Sequence, residues 1–499
     1  MNDGHATQTG PMTAVEPSRA PAAERDLSPP RQLTIGTGAT VASYAVLGTV
    51  LVLTRLWGLG QSFWHDEIYT VTDIVRPGPG RIFAGPELNH QAFSILAWTN
   101  QYVFGHSEAA YRLWSVIPFL AGVAAVTVWS HRRLGALTGI LFLVLATASP
   151  LLLDISPQAR GYGLAFLAMA VLTIGALEAD RGARTRAIVA FCVAGVVGTW
   201  TLPQFGIAFV ATGVVLLGKR TLRRRTGAGL ALSLLAIGLW YAPHLGELQA
   251  VSADSGRVQI QTAWLVSAPI DQILVPALLW IDGIVLVPGV VWLPIVLGVV
   301  MLMASSPLAR DRRALLLLSA GTVASIVVLW IAQTYVVPRY LSFLLVPLFI
   351  LLASGMGTVL GHMRDRPMLF RTLVSLLLLG LLGVRFLSVA PDVGRLPREA
   401  HRDAATIIER SVPAHTPVLA YLHNPTDLAY YLDRPFETLT ARDAARRICS
   451  GTGVLAYVTQ RFVIEDIDVP CLARQDVRHH RFRQYTRGDM HVWLVPPPG

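Results

Sequence analysis

The sequence predicts an all-α polytopic membrane protein that ends in a small α/β domain, and three observations carry that prediction. Hydrophobic residues make up 53% of the chain and charged ones only 14%, with a mean hydropathy of +0.51, as expected of a chain solvated mostly by lipid. Apolar runs long enough for the ~30 Å hydrocarbon layer recur from residue 35 to about residue 387. Between them the short linkers alternate in character, and the formal charge of +10, carried almost wholly by arginine, gathers in every second one. Basic clusters of that kind report topology; a nucleic-acid surface would need a folded soluble face to carry them.

Residues 1–34 are rich in Pro, Ala, Ser and Thr without apolar periodicity, which predicts a disordered cytoplasmic tail. No cleavable signal pattern opens the chain, so the first span, Ile35–Trp57, is its own anchor, with Trp57 and Trp64 as interfacial aromatics. A loop holding Ser62 to Tyr69 follows, and then Gln91–Phe104, which is short for a crossing. Further spans are read at Tyr111–Trp129, Leu134–Leu153, Gly161–Leu177, Ala187–Trp200, Gln204–Leu217, Gly227–Tyr241, Val285–Met303, Leu315–Trp330, Leu341–Leu360 and Leu369–Leu387. Pro203 splits the run from Ala187 to Leu217 into two short helices. Ile273–Ile281 is too short to cross and reads as re-entrant or interfacial.

Five linkers are basic: His131 to Arg133, Arg181 to Arg186, Lys219 to Arg225, Arg310 to Arg313, and Met363 to Arg371. An even number of crossings separates neighbours in this set, so one orientation puts all five, and the N-terminus, in the cytoplasm. The opposite face then receives Asp66 and Glu67, Asp154 with Arg160, the turn at Trp200, loop 245–272, Arg339 with Tyr340, and everything after about Pro391. This gives about eleven crossings, or about thirteen if Gln91–Phe104 also crosses.

Residues 391–499 differ in kind. Short apolar runs at Val418–Tyr421, Val454–Val458 and Val492–Val495 alternate with helical patterns at His401–Arg410, Thr426–Leu432 and Ala441–Ile448, which predicts an extracytoplasmic α/β domain after a membrane domain of residues 35–390. No glycine-rich phosphate fingerprint appears in it, so a cap or acceptor-binding lid is the expected role, against a purely stabilising one. The three cysteines, Cys192, Cys449 and Cys471, have no metal spacing, and only the last two are placed to pair.

Several ionisable residues sit where they are costly. Asp66 and Glu67 follow the first span, and a carboxylate at a water–lipid boundary can take a proton from a hydroxyl nucleophile or hold a cation; loop solvation or helix capping is the plainer reading. Asp154 follows three leucines and either pairs with Arg160 or touches a sugar hydroxyl or a divalent ion, which makes a divalent cation a candidate cofactor. In the latter case Arg160 is left to bind a phosphate. Glu87 and His90, three apart, either share a ligand or cap the following helix, while Glu108 and Arg112, four apart, read as an internal ion pair. Arg339 with Tyr340 opens a strongly apolar helix on the outer side, against the orientation rule, and so asks for an anionic headgroup or for ordinary lipid phosphate.

These residues also carry a resemblance. Trp64-His65-Asp66-Glu67, Asn89-His90, Glu108 through Ser115, Gln158-Ala159-Arg160-Gly161-Tyr162 and Val337-Pro338-Arg339-Tyr340, in that order over roughly residues 36–390, resemble the GT-C superfamily of polytopic glycosyltransferases. Within it the chain is most similar to the bacterial family 39-like group, which holds protein mannosyltransferases and the lipid A aminoarabinose transferase. The resemblance implies inverting transfer of a monosaccharide from a polyprenyl-phosphate donor to a hydroxyl acceptor of the cell envelope, glycan, lipid or protein, at the outer face of the bacterial cytoplasmic membrane. Its first-loop carboxylate falls on Asp66, with Glu67 beside it, and its Arg-x-Tyr and Arg-Tyr pairs fall on Arg160 with Tyr162 and Arg339 with Tyr340. Asn89-His90-Gln91-Ala92 departs from the family, many of whose members have two prolines there, and Asp154 belongs to no Asp-x-Asp pair. Two rival readings stand beside it. A transporter or flippase of lipid-linked sugar expects repeated halves, which the chain lacks, and a non-catalytic assembly subunit would not need Asp66.

Overall fold

The computed structural model describes residues 36–84, 90–182, 184–244, 292–331, 338–363, 399–422, 425–439, 441–450, 455–460, 476–484 and 489–496, with a few isolated positions between them. The tail before Ile35, Glu87, nearly all of loop 245–272, the segment Ile273–Ile281 and most of the span Leu369–Leu387 lie outside the described residues.

Helix α1 covers Thr37–Leu56. A short α2, His65–Tyr69, runs on into a π-helical turn at Thr70–Val75, and α3, Pro79–Ala84, and α4, Gln91–Val103, follow. The bundle continues with α5 at Glu108–Leu134, α6 at Ala136–Ala148, α7 at Pro150–Ile155 and α8 at Tyr162–Gly182. Next come α9 at Thr185–Thr201, α10 at Phe205–Leu217, α11 at Arg223–Tyr241, α12 at Trp292–Ala304, α13 at Pro307–Arg310 and α14 at Arg312–Ile331. A 3-10 segment, Pro338–Leu344, leads into α15 at Leu345–His362. Among the described residues six helices are long and apolar enough to cross a membrane. The fold is therefore polytopic and helical in its first part.

Two local differences from the sequence reading have plain causes. Residues 65–75 are helical where a loop was expected, because Glu67 at the third helical position accepts the Trp64 N–H and two acids occupy the first turn, where the helix dipole favours them. The single span expected over Leu134–Leu153 breaks at Ser149, whose hydroxyl caps α7 by accepting the Leu152 N–H while Pro150 takes its first position. Arg339 and Tyr340 open the apolar helical run Arg339–His362 as expected, its first turns being 3-10.

The C-terminal part is α/β. Helices α16 at His401–Ser411, α17 at Pro425–Tyr431 and α18 at Ala441–Ser450 alternate with β1 at Val418–Tyr421, β2 at Glu437–Thr438 and β3 at Leu455–Gln460, before β4 at Arg478–Phe482 and β5 at Met490–Val495. The sheet order is β2-β1-β3-β5-β4, parallel from β2 to β3 and antiparallel beyond. Strand alternation sends Val418, Ala420, Val458 and Val492 to one core with Ala404 and Ile408 of α16, and Leu419, Tyr457 and Val495 to the other face with Ile448 of α18.

Helix α5 sets the distance between the two ends of the bundle. Its 27 residues rise about 40 Å. At its last turn the basic linkers meet: Arg133 pairs with Glu178 at 2.5 Å, Arg181 lies 3.6 Å from the same carboxylate, and Asp180 receives Arg313 at 2.8 Å and Lys219 at 3.7 Å. At its first turn Arg112 and Glu108 meet the segment around Asp66 and the C-terminal part. The separation of basic linkers from acid-bearing segments that the charges predict is thus the separation between the two ends of the fold.

Candidate active site

Asp66 and Glu67 are neighbours in sequence, but one helical step of about 100° sends their carboxylates to different partners. Glu67 is fully buried. Its Oε1 accepts from Arg112 Nε at 2.9 Å and from the Ala159 N–H at 2.6 Å; its Oε2 accepts from Arg112 Nη2 at 2.6 Å and from the Trp64 N–H at 3.3 Å. The paired fork is a bidentate ion pair. Arg112 spends its other donors on the carbonyls of Leu59 at 2.8 Å, Gln61 at 2.7 Å and Ser62 at 3.1 Å. The expected Arg112–Glu108 pair is therefore replaced: Glu108 instead accepts from Arg402 at 3.1 Å and from the Tyr431 hydroxyl at 3.3 Å. A sealed pair in one fork is worth more than a pair at helix spacing on a wet surface.

Asp66 faces the other way. Its Oδ2 lies 2.6 Å from Arg160 Nη1 and 2.7 Å from Arg339 Nη2, so one carboxylate oxygen joins two guanidinium groups that arrive from distant parts of the chain. Pairing with Arg160 was one of two readings of Asp154; the Arg160 guanidinium forms its ion pair with Asp66. Asp154 lines a small cavity of about 40 Å³ with Glu67, Arg112 and Gln158, where the Gln158 amide donates to its carbonyl at 3.1 Å.

His90, which precedes α4, fixes Arg160 from behind. Arg160 Nε can only donate, so His90 Nε2 accepts from it at 2.8 Å, and the ring proton on Nδ1 is given to the Thr201 carbonyl at 3.1 Å. Burial, and then the Arg160 charge, hold the imidazole pKa well below its ordinary value, which keeps that neutral tautomer. Gly161 permits the approach, since a Cβ there would stand 2.4 Å from Thr201 Cγ2 and 3.0 Å from His90 Cβ.

Aromatic rings close the sides. Arg339 lies over Trp64 at 4.8 Å and over Tyr340 at 5.6 Å, Arg160 lies over Tyr162 at 5.8 Å, and Tyr162 stacks on Tyr340 at 6.3 Å. The Tyr162 hydroxyl and Arg339 Nε are buried with no hydrogen-bond partner among the described residues. The predicted set Asp66, His90, Arg160, Tyr162, Arg339 and Tyr340 is thus one cluster; Glu67 stands behind it, Asp154 beside Glu67, and Glu87 lies outside the described residues.

The sequence reading missed a second cluster that starts one residue away. The His65 ring Nδ1 meets Asp427 at 3.0 and 3.1 Å, and the His65 N–H donates to Glu399 Oε2 at 2.9 Å. His401 Nε2 lies 3.2 Å from Glu399 and 3.7 Å from Asp427. Glu399, His401 and Asp427 are buried and form a group able to hold a divalent cation. Around it Tyr431 accepts the Phe63 N–H at 2.6 Å and Arg76 donates to Tyr430 at 2.8 Å, so the C-terminal part sits on the segment that carries Asp66. Its Cys449 is disulfide-bonded, while Cys192 in the bundle is free.

Comparison with solved structures finds proteins of similar fold. The chain is similar to ArnT from Cupriavidus metallidurans in the apo state, with a TM-score of 0.53 and 14% identity over 92% of this chain and 100% of that one. The same protein bound to undecaprenyl phosphate gives 0.52 and 15%, over 93% and 100%. An oligosaccharyltransferase from Archaeoglobus fulgidus, in complex with zinc and sulfate, gives 0.50 and 11%, over 84% of this chain and 68% of that one. At such identities the likeness is one of fold. No protein-family model matches the chain, and no curated protein matches it.

Proposed function

We propose that this protein is a GT-C glycosyltransferase that moves a monosaccharide from a polyprenyl-phosphate donor to a hydroxyl acceptor in the cell envelope, with inversion at the anomeric carbon. The observation that carries the reading is the single Asp66 oxygen held between Arg160 and Arg339. A carboxylate beside two fixed cations sets a proton acceptor next to a phosphate site. The two unpaired buried donors, Arg339 Nε and Tyr162 Oη, add hydrogen bonds that an anionic ligand can use. That ArnT, a protein of the same fold, has been seen with undecaprenyl phosphate supports this class of donor.

In this mechanism Asp66 takes the acceptor's hydroxyl proton as its oxygen attacks the anomeric carbon. The carbon–oxygen bond to the phosphate breaks, its electron pair leaves with the polyprenyl phosphate, and Arg160 and Arg339 neutralise the charge that develops there. Glu67, with all its hydrogen bonds inside the protein, positions α2; His90 positions Arg160. No step passes through the candidate cation cluster, which borders His65. We assign residues 35–390 to the catalytic membrane domain and 391–499 to an outer domain. The basic end is placed in the cytoplasm, in keeping with its arginines and with a disulfide at Cys449 on the other side, where the compartment is oxidising.

The test is turnover per folded molecule with one identified polyprenyl-phosphate sugar. Asp66→Asn keeps size and hydrogen bonding but cannot take a proton, so the rate should fall about 10²–10⁴-fold while donor binding survives. Near-normal turnover would remove Asp66 from the reaction and return the chain to a transport or assembly role.

A further inference from the structure

We propose that Glu399, His401 and Asp427 form a zinc site where the C-terminal domain meets the start of α2, with His65, one residue before Asp66, hydrogen-bonded to two of the ligands. The proposal stands on the geometry of these side chains and does not depend on the glycosyl-transfer reading. Zinc binds imidazole nitrogen and carboxylate oxygen at about 2.0–2.2 Å in a tetrahedron, which sets neighbouring ligand atoms about 3.3–3.6 Å apart. Two separations within the cluster bracket that edge: 3.2 Å from His401 Nε2 to Glu399 Oε2 and 3.7 Å from His401 Nε2 to Asp427 Oδ2. The 3.7 Å separation is too long for a hydrogen bond. An imidazole with two carboxylates suits zinc; magnesium and calcium would ask for oxygen alone.

Burial points the same way. The side chains of Glu399, Asp427 and His401 are 5%, 3% and 2% exposed, so two carboxylates and an imidazole are gathered out of water. His401 Nδ1 is buried with no hydrogen-bond partner among the described residues. Outer contacts already orient the carboxylate, because the His65 N–H donates to Glu399 Oε2 and Ser62 donates to the Glu399 carbonyl. His65, at 34% side-chain exposure, opens a way in from solvent.

Three protein ligands leave the fourth position of the tetrahedron to water. The ion ties together two segments distant in sequence, 399–401 and 427, and the hydrogen bonds from His65 to Glu399 and Asp427 carry that hold to the entry of α2. The experiment is elemental analysis of the full-length protein in detergent after exposure to zinc chloride and desalting, with cobalt(II) titration of the same protein as a second readout. We expect about one zinc per chain and the intense visible absorption of tetrahedral cobalt. Asp427→Asn and His401→Gln should each weaken zinc binding by more than the about 10–100-fold that outer-sphere changes cost. Absence of stoichiometric zinc, a weak octahedral cobalt spectrum in wild-type protein, or unchanged zinc content in a folded Asp427→Asn variant would each overturn the proposal. Since cobalt is read on the wild type, a variant that fails to fold leaves the test decisive, and loss of the site would leave the Asp66 turnover test standing.

Discussion

The two ends of this bundle use the same residue types to different effect. At the basic end Glu178 and Asp180 face Arg133, Arg181, Lys219 and Arg313, cations whose side chains remain 24–41% exposed. At the other end Arg112 and Glu67 are 7% and 1% exposed and share two parallel bonds. Water screens the first group and is excluded from the second, so what records topology at one end fixes geometry at the other. A charge pair in this fold should therefore be valued by its solvation before its distance.

The sharpest way to break that comparison is Arg112→Met, which keeps length and removes the charge. It strands a buried Glu67 and frees the carbonyls of residues 59, 61 and 62, so unfolding in detergent should become easier by about 3–5 kcal/mol. The double variant Arg112→Met with Glu67→Leu should recover much of the loss, because an apolar pair leaves no stranded charge. A single variant within about 1 kcal/mol of wild type would place this pair in the same class as the basic end.

A smaller effect is expected at Asp66, where the carboxylate and Arg339 are 18% and 20% exposed although Arg160 is buried. Arg160→Lys and Arg339→Lys keep the charge but lose the planar fork, and binding of a polyprenyl phosphate, followed by titration calorimetry or native mass spectrometry, should weaken about tenfold in each. Unchanged binding in both would assign these arginines to lipid anchoring.

What the sequence could disclose follows from the same distinction. Asp66, Arg160 and Arg339 stand out because each interrupts an apolar run, where an ionisable residue is costly without a reason. The roles of Asp66 and Glu67 could not be separated, since that depends on the helix that turns one toward Arg160 and the other toward Arg112. Glu399, His401 and Asp427 were invisible because they lie in polar stretches where charge is ordinary, and only the docking of α16 and α17 on residues 62–65 brings them together. Strand β4, Arg-His-His-Arg-Phe, was missed because it is an edge strand with three of its five residues exposed, and edges are where charge is tolerated.

The smallest effect belongs to the basic end. Glu178→Gln removes the anion that faces Arg133 and Arg181 but leaves an amide able to accept from Trp129 Nε1, now at 2.9 Å. Because the arginines are part-exposed, they regain water when the carboxylate is lost, and stability should change by about 1 kcal/mol or less. Raising salt should shrink the difference further, since the interaction is screened over about 8–10 Å at ordinary ionic strength. Thermal unfolding of wild type and Glu178→Gln at low and high salt measures both. A loss as large as that of Arg112→Met, insensitive to salt, would mean that the basic end is as closed to water as the site around Glu67, and that its arginines hold the helices together as well as recording which way they face.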